Sequence, residues 1–158
     1  MIDRLHEIGY SFQQPAVIND SDVETLLGIE NEAFPTDSYN RDQLLEEYKK
    51  DPMLFIVARD VNKVPVGYVS AYIRDTTGCI VSIAVERNLR GSGIGSCLNS
   101  LMVDYLKSIG ARLIKAHVKE TNQGSIRFFE RFGFVVVDRV EDYYQVGSSA
   151  LIHQLSFH

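Results

Sequence analysis

The sequence feature that most constrains this chain is a glycine-rich segment at residues 90–95, RGSGIG. It follows a nearly continuous apolar run at 79–85, which predicts a strand buried on both faces. It precedes apolar residues at helical spacing in 93–108, with Gly110 just beyond them as a C-terminal cap, and this pattern predicts an amphipathic helix. The segment is therefore expected to be the turn of a strand–turn–helix unit.

A turn in this place is well suited to bind an anion. Residues with small side chains let backbone N–H groups approach a ligand, and the N-terminus of a helix adds about half a positive charge. Diphosphate is the natural ligand, with Arg90 and Arg87 as sources of mobile positive charge. The predicted cradle consists of Arg90, Gly91, Ser92, Gly93, Ile94, Gly95 and Ser96.

Two other phosphate motifs fit less well. A P-loop requires Lys followed by Ser or Thr after its last glycine, whereas Ser96 and Cys97 follow here. A dinucleotide fold requires three glycines at a different spacing and an acidic residue after the next strand, where this chain has Lys119. A tight turn that binds no ligand stays open as an alternative.

The remaining patterns predict one mixed α/β domain over residues 1–158, with a core from about residue 16. Strands are predicted at 16–18, 53–59, 64–74, 79–85, 113–118, 134–140 and 150–157, and helices at 23–34, 40–49, 93–108 and 123–131. The sheet is expected to be mostly antiparallel, with a right-handed βαβ unit formed by 79–85, the long helix and 113–118.

Composition excludes several classes of protein. A length of 158 residues with 45% hydrophobic and 23% charged residues is typical of one globular domain. A net charge of −5 disfavours nucleic-acid binding. Cys79 and Cys97 lack the spacing of a metal site or a disulfide framework and are expected to be packed thiols. No signal peptide or membrane span is evident, so a cytoplasmic protein with no metal and no membrane partner is expected.

Two blocks of sequence resemble one family. Residues 85–95, VERNLRGSGIG, resemble the acetyl-coenzyme A signature of GNAT acetyltransferases. Residues 121–134, TNQGSIRFFERFGF, resemble the family's Asn-containing helix and its Gly-Phe ending. Residues 34–39 and the pair Tyr143–Tyr144 are similar to the protein N-terminal acetyltransferase group, which includes RimI-like enzymes.

The resemblance implies acetyl-CoA as cofactor and a site where strands 79–85 and 113–118 splay. The pantetheine arm would pair with the backbone at Ile83, Ala84 and Val85, and would be contacted by Asn122, Ser125 and Phe129. The acceptor amine would enter near Phe34, Pro35, Tyr39 and Tyr143. Whether the chain forms a homodimer is left open by the sequence.

Transfer from a thioester to an amine requires a neutral nucleophile and a proton for the departing thiolate. Strand alternation places Lys115, His117 and Lys119 on one face, and the lysines would favour a neutral imidazole. In the resemblance His117 takes the position of a Glu or His base that acts through water. The alternatives are an exposed strand histidine without a catalytic role, and Glu120 as the base.

Phe129 departs from the pattern, because relatives that use an acid commonly have Tyr at this position. Either Tyr143 or Tyr144 replaces that acid, or the thiolate leaves unassisted, or catalysis is lost. An ordinary thiol has a pKa near 8.5, so unassisted departure is tolerable.

Three functions follow from these residues. An α-amine is neutral at neutral pH about 400-fold more often than a lysine side chain, so one imidazole suits the N-terminus of a protein or peptide. The second function is acetylation of a small amine or polyamine. The third is a non-catalytic module that holds acetyl-CoA.

Overall fold

The computed structural model describes residues 1–157 and contains five α-helices and seven strands in that range. The helices are α1 (Ile2–Glu7), α2 (Asp20–Ala33), α3 (Arg41–Lys50), α4 (Ile94–Ser108) and α5 (Gln123–Arg131). The strands are β1 (Ser11–Gln13), β2 (Phe55–Arg59), β3 (Pro65–Arg74), β4 (Thr77–Val85), β5 (Leu113–Lys119), β6 (Val135–Gln145) and β7 (Ser148–Ser156). Within the described residues no helix is long and apolar enough to cross a membrane.

The helix boundaries follow from capping residues that the sequence supplies. Asn19 and Asn40 precede α2 and α3, and each accepts the N–H of the third residue of its helix while that residue's side chain bonds back, a complete capping box. Gly110 lies beyond α4 with φ +109°, a conformation that glycine adopts without strain. The helices predicted from residues 23, 40, 93 and 123 are therefore confirmed to within a few residues.

The strands form one seven-stranded mixed sheet in the order β1-β2-β3-β4-β5-β7-β6. Strands β4 and β5 are parallel, whereas β1–β2, β2–β3, β5–β7 and β6–β7 are antiparallel. The connection between the two parallel strands contains α4, which is the predicted βαβ unit. The predicted mixed α/β fold is confirmed.

One predicted strand is wrong. Residues 16–18 are not a strand, and the first strand of the sheet is β1, which precedes them and pairs with β2. The N–H of Ala16 donates to the carbonyls of Pro52 and Phe55, an isolated contact rather than a ladder. Pro15 lacks an N–H group, so it cannot extend the ladder from β1 into this stretch.

The chain divides into two compact units. The first comprises Met1–Ala71 with Ser82–Tyr105, and its core packs α2 and α3 on the sheet through Leu26, Leu44 and Phe55. The second comprises Tyr72–Val81 and the chain from Leu106 onward. Its buried side chains include Leu106, Ile114, Ala116, Phe134 and Ile152.

Candidate active site

The glycine-rich turn leads directly into α4. Gly91 and Gly93 have φ values of +82° and +97°, which residues with a side chain rarely adopt. The Gly93 carbonyl accepts the N–H of Cys97 at 3.0 Å and so begins the helix. The amides of the three intervening residues have no acceptor inside the helix and point toward its N-terminal end. The turn therefore has the backbone geometry of an anion cradle.

The two arginines of this segment differ in their surroundings. Arg90 is exposed, and its Nε donates to the Val85 carbonyl at 3.3 Å. The Nε of Arg87 lies 3.9 Å from the Glu32 carboxylate, which offsets part of its charge. Both the N–H and the hydroxyl of Ser92 bond to the Leu89 carbonyl, so Ser92 stabilises the turn itself. A contact between Ser92 and a phosphate requires its hydroxyl to rotate.

Space at Gly93 is limited by one flexible neighbour. A Cβ atom added at Gly93 would stand 2.7 Å from the Met1 Sδ, which no real contact allows. Added at Gly91, a Cβ would have no neighbour within 4 Å. The Met1 side chain is unbranched and flexible, so it can turn away from a ligand. A side chain introduced at position 93 would be attached to the turn itself and could not move out of the way.

The strand that carries the predicted pantetheine contacts is β4. Ile83 and Val85 are half-buried and Ala84 is buried, so their side chains alternate between faces. The pairing of β4 with β5 runs from Thr77 opposite Leu113 to Ile80 opposite Ala116. Strand β4 continues to Val85 beyond that last pair, as expected for a strand that separates from its partner.

The predicted contacts around α5 have local partners. Asn122 caps the helix, because its Oδ1 accepts the N–H of Ser125 at 3.1 Å. Phe129 is 4% exposed and packs edge-to-face on Phe134, with their ring centroids 5.1 Å apart. The buried His153 ring lies 6.1 Å from Phe129. Packing alone accounts for the Phe129 ring, and its cofactor contact stays a prediction.

The second unit brings polar side chains from neighbouring strands together on one face of the sheet. His117 is half-buried on β5, and its Nδ1 lies 3.9 Å from the Sγ of Cys79 on β4. The Tyr143 ring stacks on the imidazole with a centroid distance of 4.9 Å and an interplanar angle of 18°. Tyr144 packs edge-to-face on Tyr143 at 4.9 Å. The three predicted catalytic residues are thus adjacent to one another.

The surroundings of His117 favour the neutral imidazole. Burial is the main cause that lowers its pKa from the usual 6.5, and the positive charge of Lys115 adds to the effect. Burial also raises the pKa of Tyr143, with a contribution from Cys79. A neutral imidazole can accept a proton, and a neutral phenol can donate one.

Glu120 does not match the requirements of a base. Its carboxylate accepts two hydrogen bonds from Arg139, at 2.7 Å from Nε and 3.0 Å from the second guanidinium nitrogen. This contact lowers the pKa of Glu120. The pair instead ties the β5 end to β6, close to the hairpin where Asp142 accepts the Gly147 N–H at 2.7 Å. That hairpin holds Tyr143 and Tyr144.

The loop of predicted acceptor contacts joins α2 to α3 in the first unit. Phe34 and Tyr39 are half-buried and Pro35 is exposed. The backbone N–H of Tyr39 donates to the carboxyl group of Glu30, which is 2% exposed. The buried Glu30 carboxyl group therefore anchors the loop through a hydrogen bond to its backbone.

Sequence reasoning missed the other partners of that acid and of His117. The Tyr68 hydroxyl donates to Glu30 at 2.7 Å and lies 3.0 Å from the Ser82 hydroxyl. Tyr72 and Cys79 complete the group around His117. Strand alternation gives the face of each of these residues, but the pairing register that aligns β4 with β5 comes only from the fold.

Comparison with known proteins decides the class of the chain. The model of the Acetyltransferase (GNAT) family matches residues 22–134. The chain belongs to the GNAT acetyltransferase family. It is an acetyl-CoA-dependent N-acetyltransferase, so the predicted family, enzyme class and cofactor are confirmed.

This acetyltransferase has relatives in archaea. It is 31% identical over 132 residues to an uncharacterized N-acetyltransferase of Methanocaldococcus jannaschii, covering 83% of each chain. It is 29% identical over 148 residues to an N-alpha-acetyltransferase of Sulfolobus acidocaldarius, covering 84% of this chain and 85% of the relative. The crystal structure of Ard1 from Thermoplasma volcanium has the same fold, with a TM-score of 0.86, 22% identity and coverage of 96% and 99% of the two chains.

The residues of the first unit fit the cofactor of the family. Coenzyme A presents a diphosphate, and the turn at Gly91 and Gly93 exposes backbone amides beside a helix N-terminus and the exposed Arg90. When bound, acetyl-CoA supplies an acetyl thioester. The side chain of Ile94 is fully buried, so this residue can contribute only its amide.

Proposed function

We propose that this enzyme acetylates the N-terminal α-amine of a protein or peptide, by direct attack of the amine in a ternary complex. The observation that carries the proposal is the half-buried, neutral His117 stacked on Tyr143. The N-alpha-acetyltransferase of Sulfolobus acidocaldarius, a relative over most of its length, supports it.

The choice of acceptor rests on proton affinity. An α-amine has a pKa near 7.8 and a lysine side chain one near 10.4, so an α-amine loses its proton far more easily at neutral pH. An imidazole whose own pKa is lowered is a weak base. Such a base is adequate for an α-amine and poorly matched to a lysine.

Each residue of the site has its own role in this proposal. His117, directly or through one water molecule, takes the proton that the amine loses. Tyr143 holds the imidazole plane by stacking, and its hydroxyl or that of Tyr144 is available as a donor to the departing thiolate. Phe34, Pro35 and Tyr39 contact the acceptor in this proposal. The cradle holds acetyl-CoA in place, so the rate enhancement comes mainly from positioning the thioester next to the amine and not from a covalent enzyme intermediate.

The test is release of coenzyme A thiol from acetyl-CoA with two peptide mixtures, one with free N-termini and one with blocked N-termini. Release only with free termini is expected. Equal release with both would identify lysine side chains as acceptors and overturn the proposal. No release with either, together with calorimetric binding of acetyl-CoA, would point to a small amine acceptor or to a non-catalytic role.

Gly93→Trp tests the binding of acetyl-CoA at the cradle, and Gly91→Ala is its matched control. The indole would displace the flexible Met1 side chain and fill the space beside the cradle, and it would strain a backbone whose φ is +97°, so binding of acetyl-CoA is expected to be lost. Gly91→Ala, with no neighbour near the added Cβ, tests the backbone conformation alone and should weaken binding less. Unchanged affinity in Gly93→Trp would contradict the cradle assignment.

A further inference from the structure

Cys79 contacts a ring nitrogen of His117, and it has no role in the function proposed above. Its Sγ lies 3.9 Å from Nδ1, within the range of a hydrogen bond to sulfur. Cys79 is 6% exposed and belongs to no disulfide. In the parallel register Cys79 stands opposite Lys115, which shares a strand face with His117.

The direction of the hydrogen bond follows from the other contacts of the sulfur. A thiol has one hydrogen, and the Cys79 S–H donates it to the Ile80 carbonyl at 3.7 Å. The Tyr72 hydroxyl in turn bonds to Cys79, which receives it as an acceptor. With its own hydrogen engaged, the sulfur faces His117 with a lone pair. The nitrogen opposite it must then carry the hydrogen of this bond.

A neutral imidazole carries one N–H, so a hydrogen on Nδ1 leaves the basic lone pair on Nε2. Tyr143 stacks on the ring and restricts its rotation, and the Cys79 contact selects between the two nitrogens. The two neighbours therefore fix different properties, the plane of the ring and the position of its hydrogen.

We propose that Cys79 is a positioning residue that holds His117 in the Nδ1–H tautomer, so that Nε2 is the nitrogen that accepts the proton of the amine. The consequence for catalysis rests on the proposed function of His117 as base. The tautomer itself rests only on the contacts of the sulfur.

The groups that face His117 support a neutral ring and a neutral donor at Tyr72. Lys115 and Lys119 flank the imidazole on β5, and Lys115 lowers its pKa. The pKa of Tyr72 is raised to about 12, first by the negative charge that Cys79 carries once it is ionised at high pH and then by the hydrogen bond between the two side chains. Tyr72 therefore stays protonated across the range in which enzymes work, and it continues to donate to the sulfur.

The experiment is ¹⁵N NMR of the full chain labelled at histidine, at a pH above the His117 titration, with the His117 signals assigned by their loss in His117→Asn. The expected wild-type spectrum has a protonated Nδ1 and an unprotonated Nε2. In Cys79→Ala this preference should fall toward a mixture of tautomers, and Cys79→Ser should restore it because a hydroxyl accepts from Nδ1–H. Cys97→Ala, a buried cysteine on α4, is the control and should leave the signals unchanged.

Two results would overturn the proposal: a protonated Nε2 in the wild type, or an unchanged tautomer in Cys79→Ala. If Cys79→Ala fails to fold, Tyr72→Phe provides the test at a side chain that is 42% exposed, and a smaller shift in the same direction is expected. A kinetic measurement separates the two proposals. Cys79→Ala should lower kcat about 3-fold with KM unchanged, because one weak hydrogen bond is lost. If the tautomer changes while activity stays full, the base role of His117 is contradicted and the tautomer assignment stands.

Discussion

Each compact unit contains one cluster of titratable side chains, around Glu30 in the first and around His117 in the second. The two clusters are built from similar contacts but differ in exposure. Glu30, Tyr68 and Ser82 form a closed network in which the hydroxyls hydrogen-bond to the acid or to each other. Glu30 is 2% exposed and Tyr68 is fully buried. Around His117 the contacts are looser, since the stacked Tyr143 is 48% exposed and the Sγ of Cys79 lies 3.9 Å from the Nδ1 of His117. The closed network has no surface left for a ligand, whereas the open one does.

The difference shows that two groups with shifted pKa values can differ in whether a ligand can reach them. Burial is the largest cause of both pKa shifts, raising the pKa of Glu30 and lowering that of His117. What separates the two is access, because a proton carrier must reach its substrate. The closed network is therefore expected to stabilise the fold and the loop at Tyr39, and the open cluster to act on the acceptor.

The largest expected effect is at His117. His117→Ala should lower kcat about 100-fold, at the lower end of what general acid–base catalysis contributes, and should leave the affinity for acetyl-CoA unchanged. Steady-state kinetics with a peptide acceptor, with calorimetry for the donor, measure both. A loss of donor affinity together with turnover would instead indicate a structural role.

Glu30→Ala tests whether the closed network contributes to stability and not to catalysis. The substitution removes the buried carboxyl acceptor of the Tyr68 and Ser82 hydroxyls and leaves these two groups only each other as partners, which should cost about 2 kcal/mol in the free energy of unfolding. Urea denaturation checks this value, and kcat of the folded enzyme should change much less than in His117→Ala. If kcat fell 100-fold while stability was retained, the assignment of the two clusters would have to be reversed.

The two clusters should respond to pH in opposite senses. The pKa of Glu30 is raised from its usual 4.5, so its contribution to stability is full below 4.5 and is lost as pH rises through the folded value. For His117, whose pKa is lowered from 6.5, the contribution is full above 6.5 and is lost as pH falls through the folded value.

Unfolding free energies of Glu30→Gln and His117→Asn, measured against pH beside the wild type, test these signs. The advantage of the wild type over Glu30→Gln should grow as pH falls toward 4.5, and its advantage over His117→Asn should shrink below 6.5. Parallel curves for all three proteins would rule out both assignments.

The smallest effect is expected at the Tyr143 hydroxyl. Tyr143→Phe keeps the stacked ring and should change kcat by less than about 3-fold, whereas Tyr143→Leu removes the aromatic contact, worth about 1 kcal/mol, and should cost about 5-fold. The same kinetic assay compares them. A large loss in Tyr143→Phe alone would make the hydroxyl the acid and the stacking secondary.

Local signals in the sequence were sufficient for most of the fold. Asn19 and Asn40 mark helix starts because their side chains complete capping boxes, and the strict spacing of apolar residues in α4 leaves little choice of face. The strand predicted at 16–18 is wrong because Pro15, directly before these residues, lacks the N–H that would extend the ladder from β1. Helix α1 was missed, since its six residues include one buried side chain, Leu5, and so give almost no periodic pattern.

The candidate site was predictable only where it depends on neighbours in sequence. The cradle at Gly91 and Gly93 combines a turn with the start of a helix, and both are readable from the order of residues. The contact of His117 with Cys79 joins residues on two strands, and their alignment is a property of strand pairing. Cys79 was therefore expected to be a packed thiol, although it also contacts the imidazole.

The hairpin between β6 and β7 is held by side-chain contacts of Asp142 and Arg139 in addition to its strand pairing. Asp142 accepts the Gly147 N–H and donates its own N–H to the Ser149 hydroxyl, and Arg139 bonds to Glu120 on the neighbouring strand side. The aromatic residues Tyr143 and Tyr144 can thus be exchanged during evolution without loss of the hairpin. Under the proposed function, acceptor preference would diversify among descendants of this protein through substitutions at the end of one strand, while the inherited donor cradle stays constant.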